Sequence, residues 1–252
     1  MTTYRVLAAA LSLFSGTALI AETAQAADFR VDNAVYSEGH SQPQTQGVTI
    51  FQEGLVYDFL SEPAEVIVFD KAHRRFVLLD IARRVRSQIS MDDVQGVVDR
   101  VKQRLSGNPS ASVKWLVDPT FDESFNPESS ELTLKSPMMT YRAEILPTNP
   151  TVAAQYHEFS DWYTKFNLAL NPSSRPPFPR MMLNDAIERA KGIAKEVHLT
   201  AFLSSKEAPV NVTSRHQLVA QLDSADRNRI AEAREGLRNF QSVSLRDYRQ
   251  GK

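Results

Sequence analysis

The chain has 252 residues, with 29 Lys and Arg against 30 Asp and Glu, a formal net charge of −1, and no cysteine. A near-neutral chain lacks the basic face that a dedicated nucleic-acid binder needs to neutralise phosphates. The missing cysteine excludes a disulfide framework, a thiol nucleophile, Cys-ligated zinc, iron–sulfur clusters and a lipid-modified N-terminal cysteine.

The first element in chain order is a targeting signal. Met1–Arg5 is a short basic segment, Val6–Ile20 is an apolar run of 15 residues, and Ala24-Gln25-Ala26 fits the small-x-small cleavage rule. Fifteen residues fall short of the roughly 20 that cross a bilayer as a helix. The pattern therefore predicts a secretory signal peptide over 1–26 and an exported protein, periplasmic or extracellular. Residues 27–252 are expected to form a single α+β domain with no transmembrane segment.

A short strand is expected at about 29–36 and a polar loop over 37–47. Four β-rich runs follow: Val48–Phe51, Leu55–Leu60, Glu65–Phe69 and Arg75–Leu79. Their separators are too short for a parallel return, which needs about a dozen residues, so they predict antiparallel hairpins. A further strand over about 82–89 carries Arg83, Arg84 and Arg86. These are candidates for an acidic partner or anionic headgroups, or for ordinary pairing with carboxylates.

Ser90 is placed as an N-cap, and Met91, Val94, Val97, Val98, Val101 and Leu105 recur at helical spacing up to Gly107. Residues 112–146 read as strands, notably Glu131–Lys135 and Met139–Ile145. A second helix over about 151–170 aligns Val152, Tyr156, Phe159, Tyr163, Phe166 and Leu170 in one apolar stripe. A proline-rich segment, 172–179, leads to a third helix at about 180–191, with Gly192 as terminator. A hairpin of Glu196–Leu203 and Val210–Leu222 and a last helix over about 224–240 complete the chain.

Strands in consecutive runs and helices in blocks indicate α+β with a mostly antiparallel sheet rather than a doubly wound one. Val66–Phe69 and Phe76–Leu79 are apolar on both faces. Either helices cover both sides of that sheet region, or one side lines an apolar cavity.

Catalytic motifs are missing. There is no Gly-x-Ser-x-Gly, phosphate loop, Gly-x-Gly-x-x-Gly or calcium loop. His157-Glu158 begins like a zinc-protease motif, but Asp161 stands where its second His would be, so no metal is expected there. His40 and His73 fall in loops. His198 and His216 fall on strands that could pair, which would bring the two together. Asp118, Asp122, Glu123, Glu128 and Glu131 read as a solvated loop leading into a strand. The aromatic second helix and Arg175-Pro-Pro-Phe-Pro-Arg180 admit two readings: a core stripe with a connector, or a greasy wall under a stiff lid.

The succession Gly47–Phe51, Leu55–Phe59, Pro63–Asp70, Arg75–Asp80 and Arg84–Ile89 resembles the strand run of LolA-like periplasmic lipoprotein carriers, the outer-membrane lipoprotein-sorting family. The resemblance implies a curved antiparallel sheet, an incomplete barrel with helices packed on it, that holds acyl chains in an apolar cavity. The chain is also similar to secreted bacterial proteins of planctomycete type, a resemblance that points to no particular activity. The expectation is a periplasmic carrier or binding module for an acyl or other apolar ligand, with lipid or lipoprotein acyl chains as partners and no cofactor. Phe51, Tyr57, Phe59, Ile67, Phe69, Phe76 and Leu78 are the candidate cavity lining. The alternative is a non-enzymatic envelope protein with a solid core, acting through a protein partner. An enzyme without a recognisable motif is the third option.

Overall fold

The computed structural model describes residues 26–172, 174–202 and 208–251. The expected signal peptide up to Gln25, and Leu203 at the end of an expected strand, lie outside them.

The first half of the chain is a β-meander of β1 (Phe29–Ser37), β2 (Thr45–Gln52), β3 (Leu55–Leu60), β4 (Glu65–Asp70), β5 (Arg75–Asp80) and β6 (Val85–Ser90). Its turns follow from local chemistry. Glu53-Gly54 closes β2–β3 with both residues at positive φ, the two-residue hairpin geometry that glycine favours. Asp70 and Asp80 each accept the backbone N–H three residues on, from His73 (3.2 Å) and Arg83 (2.8 Å), which preforms the β4–β5 and β5–β6 turns. Ser90 then caps α1 (Met91–Ser106) by accepting from Asp93 N, as its position predicts.

The second half comprises α2 (Ala111–Val117), β7 (Asp122–Asn126), β8 (Glu131–Lys135), β9 (Met139–Pro147), α3 (Pro150–Leu170) and α4 (Phe178–Arg189). It continues with β10 (Gly192–Ala201), β11 (Val210–Val219), α5 (Ser224–Asn239), β12 (Gln241–Ser242) and α6 (Leu245–Arg249). Residues 111–117, read as the start of a strand region, are helical: Val117 is buried and Trp115 packs edge-on to Phe121. Gly192 does not end a helix. It opens β10, where a Cβ would collide with the Leu146 carbonyl on the neighbouring strand.

All strands join one curved, open sheet in the order β12-β6-β5-β4-β3-β2-β1-β11-β10-β9-β8-β7. Every pairing is antiparallel except β12 with β6. With helices packed on it, the architecture is the expected α+β type. Among the described residues no helix is long and apolar enough to cross a membrane.

Register decides what each face carries. One row across β1–β6 reads Phe29, Phe51, Val56, Phe69, Phe76, Ile89; the next reads Val31, Thr49, Asp58, Ile67, Leu78, Ser87. These rows lie on the inner face, under α1 and α3. The same face continues through β11, β10, β9 and β8, where Leu132, Leu134, Ala143 and Val197 pack against Leu183, Ala186 and Ile187 of α4. The outer face of β2–β5 carries Ile50, Tyr57, Val66, Val68, Val77 and Leu79, covered by Ile230 and Ala233 of α5 and by Phe240. Helices thus cover both apolar sides of strands 65–79. Arg30 fastens α5 to β1 through both oxygens of the fully buried Asp226, each at 3.1 Å.

The arginine run is absorbed internally. Arg83 and Arg84 lie in the β5–β6 turn rather than on a strand. Arg83 pairs with Asp80 at 2.7 Å and donates to the Tyr248 carbonyl, Arg84 lies over the Phe240 ring, and Arg86 donates to the Phe240 carbonyl.

α3 is anchored by its rings. Phe159 meets Phe51 edge-on at 5.6 Å between centroids, and Phe166 stacks on Phe76 at 4.3 Å. Phe166 is fully buried, so Phe166→Ala is expected to cost about 3–5 kcal/mol through lost apolar burial and the cavity left behind. The check is the urea unfolding midpoint at unchanged slope; a loss under about 1 kcal/mol would show that α3 is held elsewhere.

Candidate functional site

The inner face changes character beyond the aromatic row. Asn33 and Val35 on β1, Thr45, Gly47 and Thr49 on β2, and Val212 and Ser214 on β11 replace rings with short side chains. Close packing fails where facing side chains are too short to meet. Here the sheet and α3 enclose a cavity of about 700 Å³, partly open to solvent.

Its floor is completed by Leu60, Met139, Tyr141, Val197, Leu199 and His216. Tyr156, Phe159, Ser160, Tyr163, Thr164 and Asn167 of α3 form a wall, and Ser174, Arg175, Pro176, Pro177, Pro179 and Arg180 of the α3–α4 connector form the rim. The greasy wall and stiff lid are therefore present, although part of the same stripe is core: Phe159 serves both, and Phe166 only the core. A second trough of about 810 Å³ lies on the outer side of β1, β11 and β10. Its charged side chains are paired, Arg215 with Glu196 at 2.6 Å, Lys195 with Glu144 at 2.7 Å and Asp32 with Arg30 at 2.9 Å.

The seven residues expected to line a cavity lie elsewhere. Phe51, Ile67, Phe69, Phe76 and Leu78 fill the solid core under α1 and α3. Tyr57 and Phe59 belong to the outer face, where the Tyr57 hydroxyl accepts from Arg234 of α5 at 3.1 Å. None of the seven borders the cavity. The largest rings mark where space is filled; space remains beside them.

A polar chain runs along the cavity floor. His216 Nε2 lies 3.2 Å from Ser214 Oγ, and Nδ1 lies 2.8 Å from Asn33 Oδ1. Asn33 Nδ2 donates to Thr49 Oγ1 (2.8 Å), which donates to Asp58 Oδ1 (2.7 Å); the Tyr163 hydroxyl donates to Asp58 Oδ2 (2.7 Å). Burial pushes Asp58 above the usual carboxylate range against the pull of these two donors. Burial and the adjacent Asp58 push Tyr163 well up. His216 is pulled down to about 3 by burial and by the charge of Arg180.

Ser214, His216 and Asn33 stand in the order nucleophile, base, orienter. Chemically they do not fill those roles, because an imidazole with a pKa of about 3 is too weak a base to draw the serine proton near neutral pH. What the chain provides is an internally satisfied floor in which His216 is uncharged near neutral pH.

His198 and His216 do not meet. They sit on opposite faces of adjacent strands, since His198 pairs in register with Thr213 while His216 pairs with Asn33. His198 binds Glu196 and Thr213 instead. Among the described residues, His157, Asp161 and Asp185 converge with ligand atoms within 4.8 Å of one another, the one arrangement that could hold a metal. There His157 pairs with Asp185 at 3.1 Å and Glu188 at 3.2 Å. The acidic stretch 118–131 includes β7, whose side chains are exposed at the sheet edge.

The period-two runs Thr45-x-Gly47-x-Thr49 and Val212-x-Ser214-x-His216 are the sequence signal of the floor, but a half-polar strand does not reveal which alternate set faces inward. Comparison with protein-family models and with curated proteins finds no match to the chain.

A histidine whose folded pKa is about 3, against 6.5 ordinarily, lets the unfolded chain bind a proton that the folded chain refuses. Its contribution to stability is full above pH 6.5 and is lost as pH falls towards 3. Wild type is expected to lose about 3 kcal/mol more than His216→Gln between about pH 6.5 and pH 4, read from urea midpoints. Parallel curves for the two proteins would remove His216 as the titrating group.

Proposed function

We propose that the protein is an exported carrier or binding module for an acyl chain or another apolar ligand, in the manner of LolA-like lipoprotein carriers. The cavity carries this reading. At about 700 Å³ it lies within the roughly 300–1,000 Å³ of small-molecule sites. Such sites combine apolar walls with a few fixed polar groups, as Tyr156, Phe159, Leu199 and Val212 do here with the Ser214–Asp58 chain. The hydrogen-bond needs of that chain are met from within, so an aliphatic ligand can lie against it without stranding a buried donor or acceptor. The open curved sheet under helices agrees with the fold that the resemblance implies, although fold alone specifies no ligand. A solid-core envelope protein is the competing reading, and the cavity favours the carrier.

Organic extraction of the purified protein, followed by mass spectrometry, is expected to release an amphiphile or lipid. Leu199→Trp and Val212→Trp, which place an indole in the cavity, should cut retention at least about tenfold at near-unchanged melting temperature. Empty wild-type protein that also fails to bind a fluorescent fatty-acyl probe would sink the carrier reading.

A further inference from the structure

The α3–α4 connector carries two cations to the rim of the cavity, Arg175 exposed and Arg180 half-buried. Among the described residues neither has a carboxylate within ion-pair distance, unlike Arg30, Arg83 and Arg234 but like Arg84 and Arg86 in the β5–β6 region. Arg180 is aimed by its own support: Nε donates to Asn184 Oδ1 at 3.0 Å, and the buried Asn184 donates to Asp161 at 2.8 Å. One edge of the guanidinium is thereby held, leaving the two terminal nitrogens for a ligand.

Both charges act on one place. Burial raises the Tyr141 hydroxyl while the fields of Arg180 and Arg175 pull it back; Arg180 opposes burial in the same way at Tyr156 and adds to it at His216. All three groups line the cavity. Among the described lining residues the one carboxylate, Asp58, already accepts from Thr49 and Tyr163, and burial raises its pKa. Among the described residues the rim thus carries two cations that no carboxylate pairs. Pro176, Pro177 and Pro179 restrict the backbone between the arginines, so little freedom is lost when both engage one ligand.

We propose that the ligand is a single-chain anionic amphiphile whose carboxylate or phosphate is taken by Arg175 and Arg180 at the rim, with its aliphatic chain running along Tyr156, Phe159 and Leu199. This rests on the carrier reading and adds the chemistry of the head. Guanidinium is the suitable group because its planar fork donates paired hydrogen bonds to two anionic oxygens, and a site shielded on one side by protein strengthens them.

The test compares dodecanoate, dodecyl phosphate and dodecanol below their micelle concentrations, by calorimetric titration of the purified protein. Wild type is expected to bind at least one of the two anions about tenfold or more tighter than dodecanol. Which anion is preferred identifies the head as carboxylate or phosphate. Acetate and inorganic phosphate at the same concentrations should not compete, since a head without a chain gains no cavity contacts.

In R175Q/R180Q the preference should shrink to within about twofold while dodecanol affinity is kept, and R180K should retain part of it. Exposed Arg175 allows R175Q alone to report if the double variant folds poorly. Equal binding of acid and alcohol by wild type, a preference that survives in R175Q/R180Q, or full competition by inorganic phosphate would overturn the headgroup assignment while leaving the carrier reading standing. Failure of all three chains to bind would overturn both.

Discussion

The seating of α3 on the aromatic row of the sheet is the contact on which the rest of the site depends. Phe159 and Phe166 are held by Phe51, Phe69 and Phe76, residues from three strands that antiparallel register places in one line. Rings in such arrangements contribute both area and geometry, so they set where the helix lies as well as how firmly. Once α3 is fixed there, it also passes over the neighbouring part of the inner face, where the sheet offers Asn33, Gly47, Thr49 and Ser214. Helix and sheet cannot close on both regions together, and the space that remains is the cavity.

The same seating explains the chemical character of the floor. A polar residue on a covered sheet face costs free energy unless it is bonded, and Asp58, Thr49 and the neighbouring Asn33 meet that demand among themselves, with Tyr163 of α3 as one donor. His216 is drawn into the series and kept neutral, because burial and the nearby Arg180 both oppose a second charge. The cavity therefore has an internally hydrogen-bonded floor, an aromatic wall and a cationic rim. That distribution suits a ligand with an apolar body and an anionic end.

Much of the fold was legible because it is written in local patterns. The strand runs at 55–60 and 131–135 coincide with β3 and β8, and Ser90 caps α1 through its side chain as its position requires. The failures share one cause. Residues 111–117 form a helix because Val117 and Trp115 find tertiary partners, Gly192 serves a close strand contact rather than a helix end, and β12 pairs with a strand more than 150 residues away. None of these leaves a periodic mark in the chain.

The candidate site divides the same way. Continuous apolar runs by themselves determined that neither face of strands 65–79 lies in water, and composition by itself excluded thiol, disulfide and cluster chemistry. Only the tertiary structure decided that the large rings close the core while the short side chains of β1, β2 and β11 leave it open, and that Arg175 and Arg180 face the opening without carboxylate partners among the described residues. A cavity is an absence of atoms between elements distant in sequence. Its position follows from register and from the seating of one helix, and neither quantity is a property of any single segment.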